Sequence, residues 1–178
     1  MKPFFFILKV VLLIGLLPAQ GAESWQKDGK PAPDTPSMKS KNGFGAQLFL
    51  TEDAQVFQDW NKPETPKITR VEKARRNIPI HTVILFVEPG TDTTGTANVT
   101  CDIVVRKPDS GIYGQQKDTV VWRHKYLSHS HALQLSEGYM GIRIEPKDPS
   151  GTYTVEVIVR DHIKNIRLSL KTTFEVAQ

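Results

Sequence analysis

The stretch TANVTCDIVVRKPDSG, residues 96–111, alternates between apolar and polar side chains over ten positions. The apolar set is Ala97, Val99, Cys101, Ile103 and Val105. A period of two residues is typical of a β-strand with one buried face. The Pro-Asp-Ser-Gly sequence that follows predicts a turn, because proline presets φ and glycine permits positive φ. The stretch therefore predicts an amphipathic strand followed by a chain reversal.

The C-terminal region, residues 148–176, repeats this arrangement. A second Asp-Pro-Ser-Gly turn precedes alternating apolar positions from Tyr153 to Val159, and a further alternating set runs from Ile166 to Val176 with Thr172 as the exception. Residues 161–165 between them are polar enough to reverse the chain. The pattern predicts a β-hairpin with a five-residue connection.

Shorter segments complete the predicted fold. AQLFLT, IPIHTVILFVEPG, DTVVW and YMGIRIEP are expected to be strands, and KITRV is expected to be an edge strand; they occupy residues 46–51, 78–90, 118–122, 139–146 and 67–71. TEDAQVFQDW, residues 51–60, is the one helical candidate, with Thr51 as its cap. Seven or eight strands without a long helix indicate an all-β chain that forms a single antiparallel immunoglobulin-like β-sandwich. A small barrel remains the alternative, and the strand order stays open.

The N-terminus predicts export. Residues 1–22 combine Lys2, an apolar run and the small-residue sequence Ala-Gln-Gly-Ala, which is typical of a cleaved secretory signal. We expect a periplasmic or secreted protein without membrane insertion after cleavage. Residues 23–42 are rich in proline, lysine, serine and aspartate and are predicted to be a disordered tail, which leaves residues 43–178 as the β-sandwich domain.

The charge and the cysteine content argue against several classes of function. The net charge is +4, and loss of Lys2 and Lys9 with the signal lowers it to +2, too little to indicate nucleic-acid binding. Cys101 is the only cysteine, so no intramolecular disulfide can form, and its place on the apolar face predicts burial rather than nucleophilic chemistry. The chain has no G-x-S-x-G motif and no glycine-rich phosphate loop after a strand. We therefore predict no enzymatic activity and no cofactor.

A histidine-rich stretch is the remaining candidate for a functional site, in this case a metal site. WRHKYLSHSHALQL, residues 122–135, holds His124, His129 and His131, which could bind copper or zinc with Glu137 as a fourth ligand. The alternative is a solvated loop, because the positive charge of Lys125 next to His124 opposes a dication.

The three tryptophans are the last residues considered for contact with a ligand or a partner. Trp60 and Trp122 are predicted to be core residues, because large rings usually supply buried area, and stacking on a ligand is the alternative. Trp25 lies in the predicted tail, where an exposed ring could contact a partner.

Three segments carry a resemblance to a known group. Residues 43–63 contain W-x-x-P, residues 86–111 contain N-V-T-x-D followed by P-D, and residues 145–176 contain D-P-x-G-x-Y-x-V. In these motifs the chain resembles small exported proteins of Gram-negative bacteria, and its last hairpin is similar to strands of immunoglobulin-like and macroglobulin-like domains. The resemblance implies a periplasmic setting and no particular activity. We expect a non-enzymatic binding module with an unknown protein partner in the cell envelope, and a Cu/Zn-binding protein as the alternative.

Overall fold

The computed structural model describes residues 25–27, 30–63, 67–127 and 132–178. Within them the chain forms twelve strands and one short helix. Their bounds are β1 (Gln26–Lys27), β2 (Lys30–Pro31), β3 (Met38–Lys41), β4 (Phe44–Thr51), α1 (Val56–Asp59), β5 (Lys73–Ala74), β6 (Ile80–Val87), β7 (Thr96–Arg106), β8 (Ile112–Tyr126), β9 (Gln134–Leu135), β10 (Gly141–Ile142), β11 (Gly151–Asp161) and β12 (Ile166–Val176).

The strands form two five-stranded sheets and a separate β1–β2 hairpin. Sheet I has the order β10-β6-β4-β3, with β9 beside β10 on the same edge of β6. Sheet II has the order β5-β12-β11-β7-β8, in which only the short β5–β12 pair is parallel. The prediction of an all-β sandwich is confirmed.

The core lies between the two sheets and is built from the alternating faces seen in the sequence. On β7 the apolar side chains from Ala97 to Val105 point inward, and all five are fully buried. The β11–β12 hairpin adds a second row that includes Tyr153, whose ring stacks on Phe174 at 5.2 Å. Cys101 is 0 % exposed in the middle of this layer, as the alternation predicts.

One lateral side of the sandwich is closed by a segment that bonds to both sheets. We call residues 134–138 the seam segment. Ser136 N donates to a carbonyl of β6 at 2.9 Å, whereas Glu137 N and Gly138 N donate to carbonyls of β8 at 3.1 and 2.9 Å. A Cβ on Gly138 would lie 2.6 Å from the backbone oxygen of Val120, so only glycine permits this approach. The seam segment therefore joins sheet I to sheet II through its backbone.

The opposite lateral side is closed in the same manner by two other segments. Pro36 O accepts a hydrogen bond from β12 at 2.7 Å, while the adjacent Ser37 O accepts one from β4 at 2.7 Å. Val71 N donates to β4 at 2.9 Å, and Glu72 O accepts from β12 at 2.8 Å. Each pair of neighbouring residues thus spans the two sheets.

The predicted tail of residues 23–42 is wrong for residues 38–41, which form β3 and pair with β4 along four residues. The physical reason is that the edge of β4 offers backbone groups that a strand can satisfy. Trp25 is also not a free ring, because it is half-buried and its Nε1 donates to Lys39 O at 3.0 Å.

The predicted signal peptide over residues 1–22 lies outside the described residues. Within the part of the chain that the structure covers, no helix is long and apolar enough to cross a membrane.

Three local predictions differ from the structure. KITRV at residues 67–71 contains no strand, and the edge strand at this position is β5. The predicted strand at residues 139–146 is reduced to β10, and the predicted helix is reduced to α1. Thr51 does not cap α1, because it remains in β4 and its Oγ1 accepts a hydrogen bond from Asp53 N at 3.1 Å. This local bond starts a turn before any helix begins.

The Cys101 thiol is expected to be unreactive in the folded protein. Burial raises its pKa to about 12, with the neighbouring Asp102 charge adding to the shift. At pH 8 both the thiolate fraction and the access of a reagent are then low. We expect labelling by a disulfide reagent to be at least about 100-fold slower in buffer than in guanidinium chloride, because only the thiolate reacts. Complete labelling of the native protein within seconds would contradict the buried position.

Candidate functional site

The three predicted metal ligands are not assembled by the described residues. His124 lies on β8 and is exposed, whereas His129 and His131 lie outside the described residues. Among the residues that are described, no group of three or more histidine, cysteine, aspartate or glutamate side chains could hold a metal ion. Glu137, the expected fourth ligand, forms an ion pair with Lys125. The metal site therefore stays a prediction.

His124 is the extra residue of a β-bulge. Lys125 pairs with Ala97 and Arg123 pairs with Asn98, so no residue of β7 lies opposite His124. Its φ of 51° is in the left-handed region, as bulged positions often are. The bulge changes the direction of the strand end that leads to the seam segment.

A cleft with an aromatic lining lies next to this bulge. It has a volume of about 280 Å³. We call it the aromatic cleft, and it is lined by Phe57, Trp60, Asn61, Trp122, Lys125, Gln134, Leu135, Ser136 and Glu137. These residues come from three separate places in the fold: α1 and its end, β8, and the seam segment.

The seam segment forms the floor of the cleft. Gln134, Leu135 and Ser136 are all buried, and Leu135 belongs to a small apolar cluster on the outer face of sheet I. Ser136 Oγ donates to the backbone oxygen of Gly138 at 2.6 Å, which fixes the floor locally. The hydrogen bonds that close the sandwich thus also hold the base of the cleft.

The region of α1 forms one wall. Val56 is buried against the outer face of sheet I and anchors the helix. Phe57 stacks on Tyr139 with ring centroids 4.0 Å apart and contacts His81 edge-on at 6.2 Å. Trp60 is half-buried and packs against the same apolar cluster. Both aromatic rings are therefore held in place before any ligand arrives.

Trp122 on β8 forms another part of the lining. Its ring meets the core residue Phe86 at a centroid distance of 5.8 Å and an angle of 63°. Its Nε1 donates to Lys125 O at 3.2 Å across the bulge. Lys125 Nζ lies 5.9 Å from the centre of the Trp122 ring and pairs with Glu137. The bulge, the indole and the ion pair form one connected arrangement at the rim.

Among the described residues of the lining, the ionisable side chains are Lys125 and Glu137, and they neutralise each other. Their side chains are 56 % and 34 % exposed, so the pair is solvated and contributes little to stability. The remaining polar lining consists of two amides and one hydroxyl, from Asn61, Gln134 and Ser136. The cleft therefore offers hydrogen-bonding groups and aromatic surface without a net charge.

The sequence-based interpretation of Trp60 and Trp122 as core residues is only partly right. Both rings pack against apolar clusters, but both are half-buried and line the cleft. The residues are 62 positions apart, and the floor between them comes from a third segment. The adjacent residues gave no signal of this: on β8 the side chain of Arg123 points to the opposite face from Trp122, a pattern that indicates burial of the ring.

Comparisons with known proteins do not assign this chain to a family. The sequence matches no protein-family model and no curated protein. Among solved structures, the chain is similar to a family 123 glycoside hydrolase from Clostridium perfringens, studied for glycolipid glycan hydrolysis, with 12 % identity and a TM-score of 0.47. That alignment covers 76 % of this chain, which spans only 27 % of the hydrolase.

A second similar structure is a Niemann-Pick type C2 protein from Japanese carpenter ant, with 14 % identity and a TM-score of 0.37. This alignment covers 57 % of the present chain and 76 % of the ant protein. At these TM-scores neither resemblance supports an assignment of function. The immunoglobulin-like and Gram-negative relationships stay predictions.

We expect the purified, untagged protein to hold far less than one equivalent of copper or zinc. The reason is that Lys125 and Arg123 place positive charge beside His124, and Glu137 is already paired with Lys125. Elemental analysis after dialysis against each metal measures this directly. One tightly held equivalent that is lost in both His124→Ala and His129→Ala would instead support the metal-binding alternative.

Proposed function

We propose that the protein is a non-enzymatic binding module of the cell envelope and that the aromatic cleft is its recognition site. The observation that carries this proposal is the convergence of Trp60 and Trp122, from different elements, on one preformed cleft. Tryptophan is the residue most often found at the centre of energetically important contacts, because it combines large apolar area with few rotatable bonds.

The rigidity of the cleft supports binding. Its floor is hydrogen-bonded to both sheets, Phe57 is stacked on Tyr139, and Trp122 is fixed by Phe86 and by its own indole hydrogen bond. A site that is already ordered loses little conformational entropy when a ligand enters. The fold thus provides preorganisation at the place where the aromatic rings lie.

The chemistry of the lining favours binding over catalysis. Glu137 is the single carboxylate among the lining residues that the structure describes and is paired with Lys125, so these residues do not supply the two carboxylates that glycoside hydrolysis commonly uses. The lining side chains that the structure covers also include no histidine or cysteine to act with Ser136, whose hydroxyl donates to Gly138 O. Localisation in the envelope rests on the secretory signal predicted for residues 1–22.

Binding by addition of a strand to a sheet edge has less support. At the edge of β8 the carbonyls of Val120 and Val121 accept hydrogen bonds from the seam segment, and the edges of β4 and β12 bond to residues 36–37 and 71–72. Strand addition requires free backbone groups along an edge. The cleft is therefore the better candidate for recognition.

Substitution of Trp60 tests the proposal. We expect retention of the purified protein on immobilised envelope extract to be saturable and to weaken at least about tenfold in Trp60→Ala, as for a central aromatic contact. Asn61→Ala, at an exposed position in the lining, should weaken retention without changing the melting temperature. Ile112→Ala removes a side chain that is 53 % exposed at the far end of β8 and serves as the matched control.

Equal retention of the wild-type protein, Trp60→Ala and Asn61→Ala would overturn the cleft as the recognition site. Loss of retention in Ile112→Ala, with the cleft variants unaffected, would place recognition elsewhere on the surface.

A further inference from the structure

We propose that the ligand of the aromatic cleft is a neutral carbohydrate, such as a hexose unit of an envelope glycan. This inference rests on the proposed function of the cleft as a recognition site and adds the chemical class of the ligand. It follows from the combination of aromatic surface, amide side chains, charge neutrality and volume in one place.

The aromatic lining fits the apolar face of a sugar ring. A pyranose presents axial C–H groups on one face, and these groups stack favourably on the electron-rich face of an indole. Trp60, Trp122 and Phe57 all line the aromatic cleft. Two indoles in one cleft can contact one sugar ring or two successive rings of a chain.

The polar lining fits hydroxyl groups. Asn61 and Gln134 each carry one carbonyl acceptor and two N–H donors in a plane, and a sugar hydroxyl both donates and accepts. Gln134 Nε2 reaches Ala132 O only at 3.5 Å, which is long for a hydrogen bond, so a ligand hydroxyl would improve on this contact. An amide can therefore hold two neighbouring hydroxyls at once.

The charges of the lining do not favour an ionic ligand. Glu137 repels an anion such as a sugar phosphate that Lys125 attracts, the reverse holds for a cation, and the pair as a whole is neutral. Each partner can still form a charge-assisted hydrogen bond to a hydroxyl at the rim, since Glu137 accepts and Lys125 donates. The rim thus recognises hydroxyls but gives no net attraction to a charged group.

A lipid chain and a folded protein fit less well. An alkyl chain would cover the buried Gln134 amide, whose hydrogen bond to Ala132 O is long, without bonding to it, and a buried polar group without a good partner is destabilising. The volume of about 280 Å³ is slightly below the usual range of small-molecule sites, which suits one or two sugar rings better than a protein surface.

The direct experiment titrates the purified protein with neutral trisaccharides. The probes are cellotriose, maltotriose, mannotriose and N,N′,N″-triacetylchitotriose, followed by tryptophan fluorescence and by calorimetry, with glucose 6-phosphate as the charged control. We expect at least one neutral probe to bind with a Kd between about 1 μM and 1 mM, which corresponds to roughly −8 to −4 kcal/mol, and to quench or shift the tryptophan emission. Glucose 6-phosphate should not bind.

Variants of lining residues test whether the measured binding takes place in the aromatic cleft. Asn61→Ala and Gln134→Leu should each weaken binding at least about tenfold, because each removes hydrogen bonds to hydroxyls. Trp60→Phe keeps an aromatic face and should retain most of the affinity that Trp60→Ala loses. Ile112→Ala should bind as the wild type does. Binding that is unchanged in Asn61→Ala and in Trp60→Ala would overturn the proposal even if Gln134→Leu failed to fold.

The envelope extract separates failure of this inference from failure of the proposed function. Periodate cleaves vicinal diols of glycans, whereas a protease removes protein partners. Retention that depends on Trp60 and is lost after periodate supports a carbohydrate. Trp60-dependent retention that survives periodate and is lost after protease overturns the carbohydrate and leaves the binding module intact. Retention that is independent of Trp60 overturns both.

Discussion

The two-sided hydrogen bonding of the seam segment is the constraint on which the rest of the structure depends. Backbone groups that leave water must find partners, and those of residues 136–138 find them on different sheets. The seam segment therefore fixes the separation of β6 and β8 at this side. It also forms the floor of the aromatic cleft. Stability of the sandwich and shape of the candidate site thus have the same cause.

The regular part of the fold follows from local alternation. The inward side chains of β7, β11 and β12 are those that a period of two selects, and Cys101 is buried among them. The closing segments could not be predicted in this way. Residues 36–37, 71–72 and 134–138 are held by backbone hydrogen bonds. Their side chains therefore show no regular alternation of apolar and polar residues. For the same reason β3 was mistaken for part of an unstructured tail.

The candidate site was harder to predict than the fold. Trp60 and Trp122 were predicted to be core residues, and a sequence does not show that both line one cleft together with a third segment. Their convergence depends on the position of α1 against sheet I and on the bulge at His124. The histidine stretch was the more visible motif because three of the five histidines fall within residues 124–131, whereas the residues of the cleft lie far apart in the sequence and come together only in the fold.

Hydrogen exchange at the seam tests this account most directly. The amides of Ser136, Glu137 and Gly138 donate to β6 and β8 at 2.9–3.1 Å, so they should exchange only when the two sheets separate. Native-state exchange resolved by residue should give these amides protection close to that of the central β7 and β11 amides. Exchange of the three amides at the rate of an exposed loop, with β7 and β11 still protected, would contradict the account.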